Sequence, residues 1–397
     1  MSDGTAPGTA HVQADYAGGG IFNLMQSIAE ACGAPASGFE QCASLPAKTL
    51  DETRHVVLIV VDGLGLPLLA RLPESSGLRR HLIGSLSSVF PSTTASAITT
   101  FMTGLAPAQH GLTGWHVQLD EIGQMLAILP MTVRAPGEAL AVPVEELPPR
   151  LFPYPTLFQR MTRESWVIAP QRIAGSPFNA WHARGASTRA YATLPELFGH
   201  LSDLLTDAVA PRYIYAYHPD LDAASHRFGC ESEQAFEALR AFDTAFESFL
   251  ATSRGADASL IVTADHGFID SPREHVVCLD DHPQLAAWLT QPLSGERRVA
   301  YCRVAAAHRF EFATYVRQHL AHCADLQAST DLIAAGCFGP PPYHPQLAAR
   351  VGDFTLQMKA DWTITDWLPG EKRYELIGVH GGSSREEMRV PLVAIRL

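Results

Sequence analysis

A doubly wound α/β fold, meaning a mostly parallel sheet with helices on both faces, is what the sequence predicts, and three observations predict it. The run His55-Val-Val-Leu-Ile-Val-Val61 is continuously apolar and largely β-branched, as strands buried on both faces of a parallel sheet are. Further short apolar runs, Ile83 to Phe90, Trp166 to Ala169, Arg212 to Tyr217, Ser259 to Thr263 and Val390 to Arg396, are separated by helical patterns. The clearest helix, Glu231 to Ala251, repeats Phe236, Leu239, Phe242, Phe246 and Phe249 at helical spacing, which reads as a core stripe. In such folds functional groups collect outside the carboxyl ends of the strands, so motifs directly after strands carry the most weight.

At 397 residues the chain can bury a large core and exceeds one typical domain. Residues 1–50, rich in Gly, Ala and Ser, read as a loose lead-in with a short amphipathic helix near Ile21 to Cys32. Residues 51–274 together with 375–397 are expected to form the α/β core, and 275–374 an inserted cap. The Pro-rich connection Phe338 to Tyr343 and the alternating segments Val351 to Met358 and Trp362 to Thr365 mark that insertion. An irregular stretch from Trp115 to about Tyr154 adds to its rim.

The chain is 47% hydrophobic and 18% charged, without an apolar run long enough to cross a bilayer, so a soluble protein with no membrane partner is expected. A formal charge of -12 without clustered Lys and Arg argues against a nucleic-acid surface, and leaves bound cations as one use for some carboxylates. The opening residues lack a basic region followed by an apolar one, which predicts cytoplasmic residence. The seven cysteines are odd in number, scattered and free of C-x-x-C spacing, so reduced thiols are expected and no cysteine zinc site. Nothing in the sequence sets an oligomeric state.

Five short pieces carry chemistry. Asp265-His266-Gly267 sets a carboxylate beside an imidazole directly after an apolar run, a pair able to share one hard or borderline cation. Asp62-Gly63 ends the first strand. Phe90-Pro91-Ser92-Thr93-Thr94 stops a strand with Pro and opens a helix with hydroxyls, where free N–H groups and the dipole favour an anion. Asp222 and His226, four apart, share one face of a helical turn. His380-Gly381-Gly382 places a histidine before two glycines just ahead of the last strand. Taken singly, each also fits an ordinary role: a turn, an N-cap or a surface pair.

The order and spacing of these pieces, with Thr103-Gly104 behind the hydroxyl cluster, resemble the alkaline phosphatase superfamily. Within it they resemble the type I phosphodiesterase/nucleotide pyrophosphatase family, over residues 55–397. The resemblance implies one metal ion held by Asp222, His226 and His380, and a second held by Asp62, Asp265, His266 and the nucleophile's oxygen. It implies Thr94, nine residues before Thr103, as nucleophile, with Thr93 as runner-up. Ligands drawn from Asp and His leave zinc, manganese, iron and cobalt open, zinc being first choice and manganese second. The implied activity is hydrolysis of a small phosphorylated substrate through a phospho-threonine, two ions roughly 4 Å apart bracing the attacking and leaving oxygens.

The departures matter as much. No asparagine follows His110-Gly111, where related phosphodiesterases hold a nonbridging oxygen, so monoester and diester both stay open and His116 is a candidate replacement. No arginine stands beside the hydroxyl cluster as in the secreted phosphomonoesterases, and the Cys-x-Pro-x-Arg motif of sulfatases is absent. Asp220 is an alternative to Asp222, while His275, His282 and His344 in the insertion are either solvated or substrate contacts. Two other functions compete: a phosphomutase, for which the insertion offers Arg297-Arg298 as a basic grip, and a non-catalytic metal-binding module.

Overall fold

A computed structural model of the chain describes residues 11–207 and 210–397. The first ten residues, on which the expected lack of a secretion signal rests, lie outside the described residues. No helix among the described residues is long and apolar enough to cross a membrane.

The core is a seven-stranded sheet in the order Leu82–Ser87, Arg389–Arg396, Ala258–Thr263, His55–Val61, Arg212–His218, Glu164–Pro170 and Ser187–Tyr191. Arg389–Arg396 runs antiparallel to both of its neighbours, and the remaining pairs are parallel. His55–Val61 lies at the centre with every residue buried, which is why its sequence has no polar face. The helix Glu233–Thr252 buries Leu239, Phe242, Phe246 and Phe249, while Phe236 stays at the margin under the Arg71 guanidinium. The edge strand Ser187–Tyr191 is largely exposed and carries no apolar run, so nothing in the sequence marks it.

Register decides where the motifs meet. Val61 pairs with His218, and Val60 with Thr263. Asp62, the helix Asp220–Phe228 and Asp265 therefore leave the sheet at one edge. Because Arg389–Arg396 runs the opposite way, its beginning, with His380 ahead of it, lies at that same edge. Leu82–Ser87 delivers the hydroxyl cluster there too. It ends before the expected Phe90, because Ser88 turns away to donate its hydroxyl to the Asp265 carbonyl.

A second sheet is antiparallel throughout, in the order Ala324–Ala328, Phe354–Met358, Val299–Cys302, Ser294–Gly295, His116–Leu119, Gln124–Ala127 and Thr132–Val133. The stretch expected to be irregular from Trp115 to about Tyr154 is thus three paired strands as far as Val133 and carries no strand from there to Tyr154. Its strands are two to four residues long, and their link to the rest of the sheet, Gly295 opposite His116, is remote in sequence. The lead-in is likewise packed rather than loose over its helix, Ile21–Ala31, where Ile21, Phe22, Leu24, Met25 and Ile28 are all fully buried. A helix apolar on that many sides belongs inside a core. Its Gln26 Nε2 donates to the Gly104 carbonyl (2.9 Å), just past the end of the helix Thr94–Thr103.

One buried ion pair ties the second sheet to the first. Arg298, next to Val299–Cys302, makes two hydrogen bonds to Glu387 (3.2 and 3.1 Å), and both side chains are essentially inaccessible. Glu387 also accepts from the backbone N–H of Gly382 (2.7 Å) and of Ser384 (3.3 Å), fixing the loop after His380. Burial alone would push this carboxyl up, but the Arg298 charge and the hydrogen bonds hold it below the usual carboxylate range. Replacing Glu387 with Gln or Ala strands a buried guanidinium and should cost about 3–5 kcal/mol in urea unfolding. Since the folded-state pKa is depressed, this contribution is complete above the unfolded value of about 4.3 and fades as pH falls toward the folded value. The deficit of Glu387→Gln should therefore narrow below about pH 4; a deficit constant from pH 7 to pH 3 would contradict the role given to the ionised carboxylate.

Candidate active site

The five pieces converge on one cavity of about 300 Å³. Thr94, Asp222, His226 and His380 line it, and Asp62, Asp265 and His266 are buried beneath. His266 stands at the junction. Its Nε2 lies 3.4 Å from Asp62 Oδ1, 3.3 Å from Asp265 Oδ2 and 3.0 Å from Thr94 Oγ1. Asp222 Oδ1 lies 3.4 Å from His226 Nε2 and 3.9 Å from His380 Nε2. The His266 and His380 rings stack at 3.6 Å between centroids, and those of His226 and His380 stand 5.0 Å apart.

Backbone contacts fix how each donor faces. The Nδ1 atoms of His226, His266 and His380 bond to the carbonyls of Gly378 (2.9 Å), Gly267 (3.1 Å) and Ser92 (3.2 Å). Carbonyl acceptors place the ring proton on Nδ1 and leave the Nε2 lone pair turned into the site. Burial, reinforced by the neighbouring His266 and His226, holds His380 well below the usual imidazole range and so keeps it neutral. Asp265 Oδ1 accepts from the N–H groups of Gly63 and of His266, both at 3.0 Å. Gly63 needs its positive φ of 76° to make that turn, and a Cβ there would strike the Phe268 ring at 2.4 Å. Tyr217, at the end of its strand, donates its hydroxyl to Asp62 Oδ2.

One oxygen of each carboxylate has no hydrogen-bond partner: Asp62 Oδ1, Asp222 Oδ1 and Asp265 Oδ2 are all buried and unpartnered. These are the oxygens that face the imidazole nitrogens. Burial and then the charges of Asp222 and Asp265 push Asp62 well above its usual carboxylate value, and burial raises Asp222 too. Buried like charges whose inward oxygens lack donors call for cations. Two groups of three, Asp62 with Asp265 and His266, and Asp222 with His266 and His380, bring one potential ligand atom from each residue within 4.8 Å of one another. His226 joins the second group through Asp222.

Thr93 and Thr94 part company. Thr93 donates its hydroxyl to Glu296 Oε1 at 2.5 Å, whereas Thr94 Oγ1 meets His266 and reaches the cavity. Glu296 also accepts from the Trp115 N–H (2.7 Å), and burial pushes its carboxyl up to about 7. No spacing in the sequence connects Glu296 to Thr93, so it went unmarked, as did Tyr217. Asp220 is exposed and supplies no ligand atom to either group. His275 pairs with Asp361, His282 meets the Tyr315 hydroxyl, and His344 packs at Gly111; none of the three lines the cavity. His116 does line it, and burial together with Arg134 and Arg297 lowers its imidazole to about 3.

The family model for type I phosphodiesterase/nucleotide pyrophosphatase matches residues 56–126 and 137–383 of this chain. Murine ectonucleotide pyrophosphatase/phosphodiesterase 5 is similar in fold, with a TM-score of 0.60 and 18% identity over 85% of this chain and 87% of that one. The human form gives a TM-score of 0.59 and 16% identity over the same shares. Phosphonoacetate hydrolase from Sinorhizobium meliloti in complex with phosphonoformate gives 0.60 and 18%, over 87% of this chain and 91% of that one. At these identities the likeness is one of fold. No curated protein matches the chain in sequence.

The unpartnered oxygens predict how the protein responds to metal. Zinc added to chelator-stripped protein should raise its melting temperature, equivalent to about 2.7 kcal/mol at a hundredfold excess over Kd. Under chelator, Asp62→Asn should melt above the wild type, because it removes one of three crowded charges and still accepts from Tyr217; with zinc the order should reverse. Identical melting of the two proteins in both conditions would contradict a cation-dependent cluster.

Proposed function

Because the chain belongs to the type I phosphodiesterase/nucleotide pyrophosphatase family, we propose that it hydrolyses small phosphate esters or diesters by attack of Thr94 on phosphorus. The observation that carries this reading is the place of Thr94 Oγ1, 3.0 Å from His266 Nε2, where the two carboxylate and imidazole groups meet and the cavity opens.

The donor set, carboxylate oxygen and imidazole nitrogen with three oxygens unpartnered, fits two divalent cations, zinc first and manganese second. Asp222, His226 and His380 would hold one, and Asp62, Asp265 and His266 the other, with Thr94 Oγ1 as a further donor. When bound, such ions lower the pKa of an alcohol and offset charge on a leaving oxygen.

The protein's own contribution is position. Thr94 opens the helix Thr94–Thr103, whose first N–H groups have no acceptor within the helix and favour an incoming anion. Glu296 holds the Thr93 hydroxyl and so leaves Thr94 as the hydroxyl offered to substrate. Attack would form the Oγ1–P bond and break the bond from phosphorus to the leaving oxygen, which takes up a proton as the Thr94 hydroxyl loses one; water would then cleave the Oγ1–P bond and free phosphate from a monoester or a phosphate monoester from a diester. Arg298, one half of the basic pair that a mutase grip would use, is committed to Glu387, which favours water over a second sugar as acceptor. All seven cysteines are unpaired, which supports residence in a reducing compartment such as the cytoplasm.

Turnover of mono- and bis-nitrophenyl phosphate by stripped protein, with zinc or manganese restored, tests the reading and separates ester classes. Phosphonates belong in the panel, given the ligand of the Sinorhizobium meliloti enzyme. Thr94→Ala should lower kcat by roughly 10³-fold or more, and Thr93→Ala by less than about tenfold, the scale of one hydrogen bond. Full activity in Thr94→Ala would sink the assignment.

A further inference from the structure

The cavity over Thr94 holds two guanidinium groups in its wall, Arg134 and Arg297, and they differ in one respect. Arg134 is neutralised: Nη2 lies 2.7 Å from Asp366 Oδ1 and 3.5 Å from Glu371 Oε2, and Nη1 donates to the Leu293 carbonyl at 2.6 Å. Arg297 forms no ion pair with any described residue. Its one hydrogen bond beyond the backbone ladder runs from Nη2 to the Tyr374 carbonyl at 3.2 Å. Two rings hold the group in place, Tyr374 at 4.7 Å and Trp367 at 5.4 Å from guanidinium carbon to ring centroid, and both rings also line the cavity.

A planar guanidinium held against aromatic faces, with several N–H donors uncommitted, is prepared for an oxyanion. The contacts of the Arg297 guanidinium are with Tyr374 and Trp367 and with none of Thr94, Asp222, His226 or His380, so a phosphoryl group seated at Thr94 leaves the guanidinium for another anion. We propose that Arg297 binds a second anionic group, a carboxylate or a second phosphoryl group, on the part of the substrate remote from the reacting phosphorus. This rests on the hydrolase reading above and narrows its substrate class to small phosphorylated compounds with two anionic ends. Arg297 is then a specificity-determining residue and takes no part in bond breaking.

Binding of three non-hydrolysed probes to zinc-restored protein, measured by calorimetry, tests this. Propylphosphonate carries the phosphoryl-like end alone, 3-phosphonopropanoate adds a carboxylate, and propane-1,3-diphosphonate adds a second phosphonate. At least one two-ended probe should bind about tenfold or more tightly than propylphosphonate, and which one does so identifies the second anion. Arg297→Gln should abolish that preference and leave propylphosphonate affinity unchanged, while Arg297→Lys should restore it in part. Equal affinity for all three probes in the wild type, or an undiminished preference in Arg297→Gln, overturns the assignment but leaves the phosphoryl site standing. Failure of propylphosphonate to bind, with no turnover of any nitrophenyl ester, overturns the hydrolase reading and this inference with it.

Discussion

Mutual repulsion among Asp62, Asp222 and Asp265 is the constraint on which the rest of this structure turns. Each aspartate presents an unpartnered buried oxygen to the same small volume. Two like charges about 4 Å apart repel by about 4 kcal/mol at an effective dielectric of 20. The cluster cannot relax by moving apart, because Asp62 and Asp265 come one and two residues after the ends of neighbouring strands locked in parallel register. Neighbouring groups supply only part of the relief: Tyr217 donates to Asp62, and Gly63 and His266 donate through the backbone to Asp265. What remains unmet is positive charge, with three imidazole lone pairs aimed at the same place.

The segment Glu296-Arg297-Arg298 shows how the second sheet serves that site. Glu296 reaches the hydroxyl cluster and takes Thr93, Arg297 faces the cavity, and Arg298 is buried against Glu387. Glu387 in turn holds the N–H of Gly382, two residues past His380. The positions of Thr94 and of His380 are thus coupled to the second sheet through Glu296 and Arg298. Gly381, with φ of 105°, makes the approach possible, since a Cβ there would meet Glu296 Cβ at 2.7 Å.

Much of the core was legible in the sequence because burial on both faces leaves an unmistakable pattern. His55–Val61 and Ala258–Thr263 are apolar throughout or nearly so, and Asp62-Gly63 directly after the first and Asp265-His266 one intervening residue past the end of the second break that pattern with charge. The seven residues named as ligands or nucleophile do come together around one cavity. The second sheet was less legible: its strands are short, and the pairing of Gly295 with His116 joins segments far apart in the chain. Glu296 could not be found at all from spacing, because its partner Thr93 is brought near only by the closure of both sheets. Arg297 stood out as basic, but only the pairing of Arg134 and of Arg298 elsewhere shows which cation is left over.

If this cluster makes Thr94 the group that attacks phosphorus, acid-quenched peptide mapping by mass spectrometry will find the adduct there. Metal-restored protein mixed with bis-nitrophenyl phosphate or nitrophenyl phosphate and quenched during turnover should carry a phosphoryl or phosphodiester adduct on Thr94, and chelated protein should carry none. Steady turnover with Thr94 unmodified at every quench time, or with the adduct on Thr93, would contradict the account.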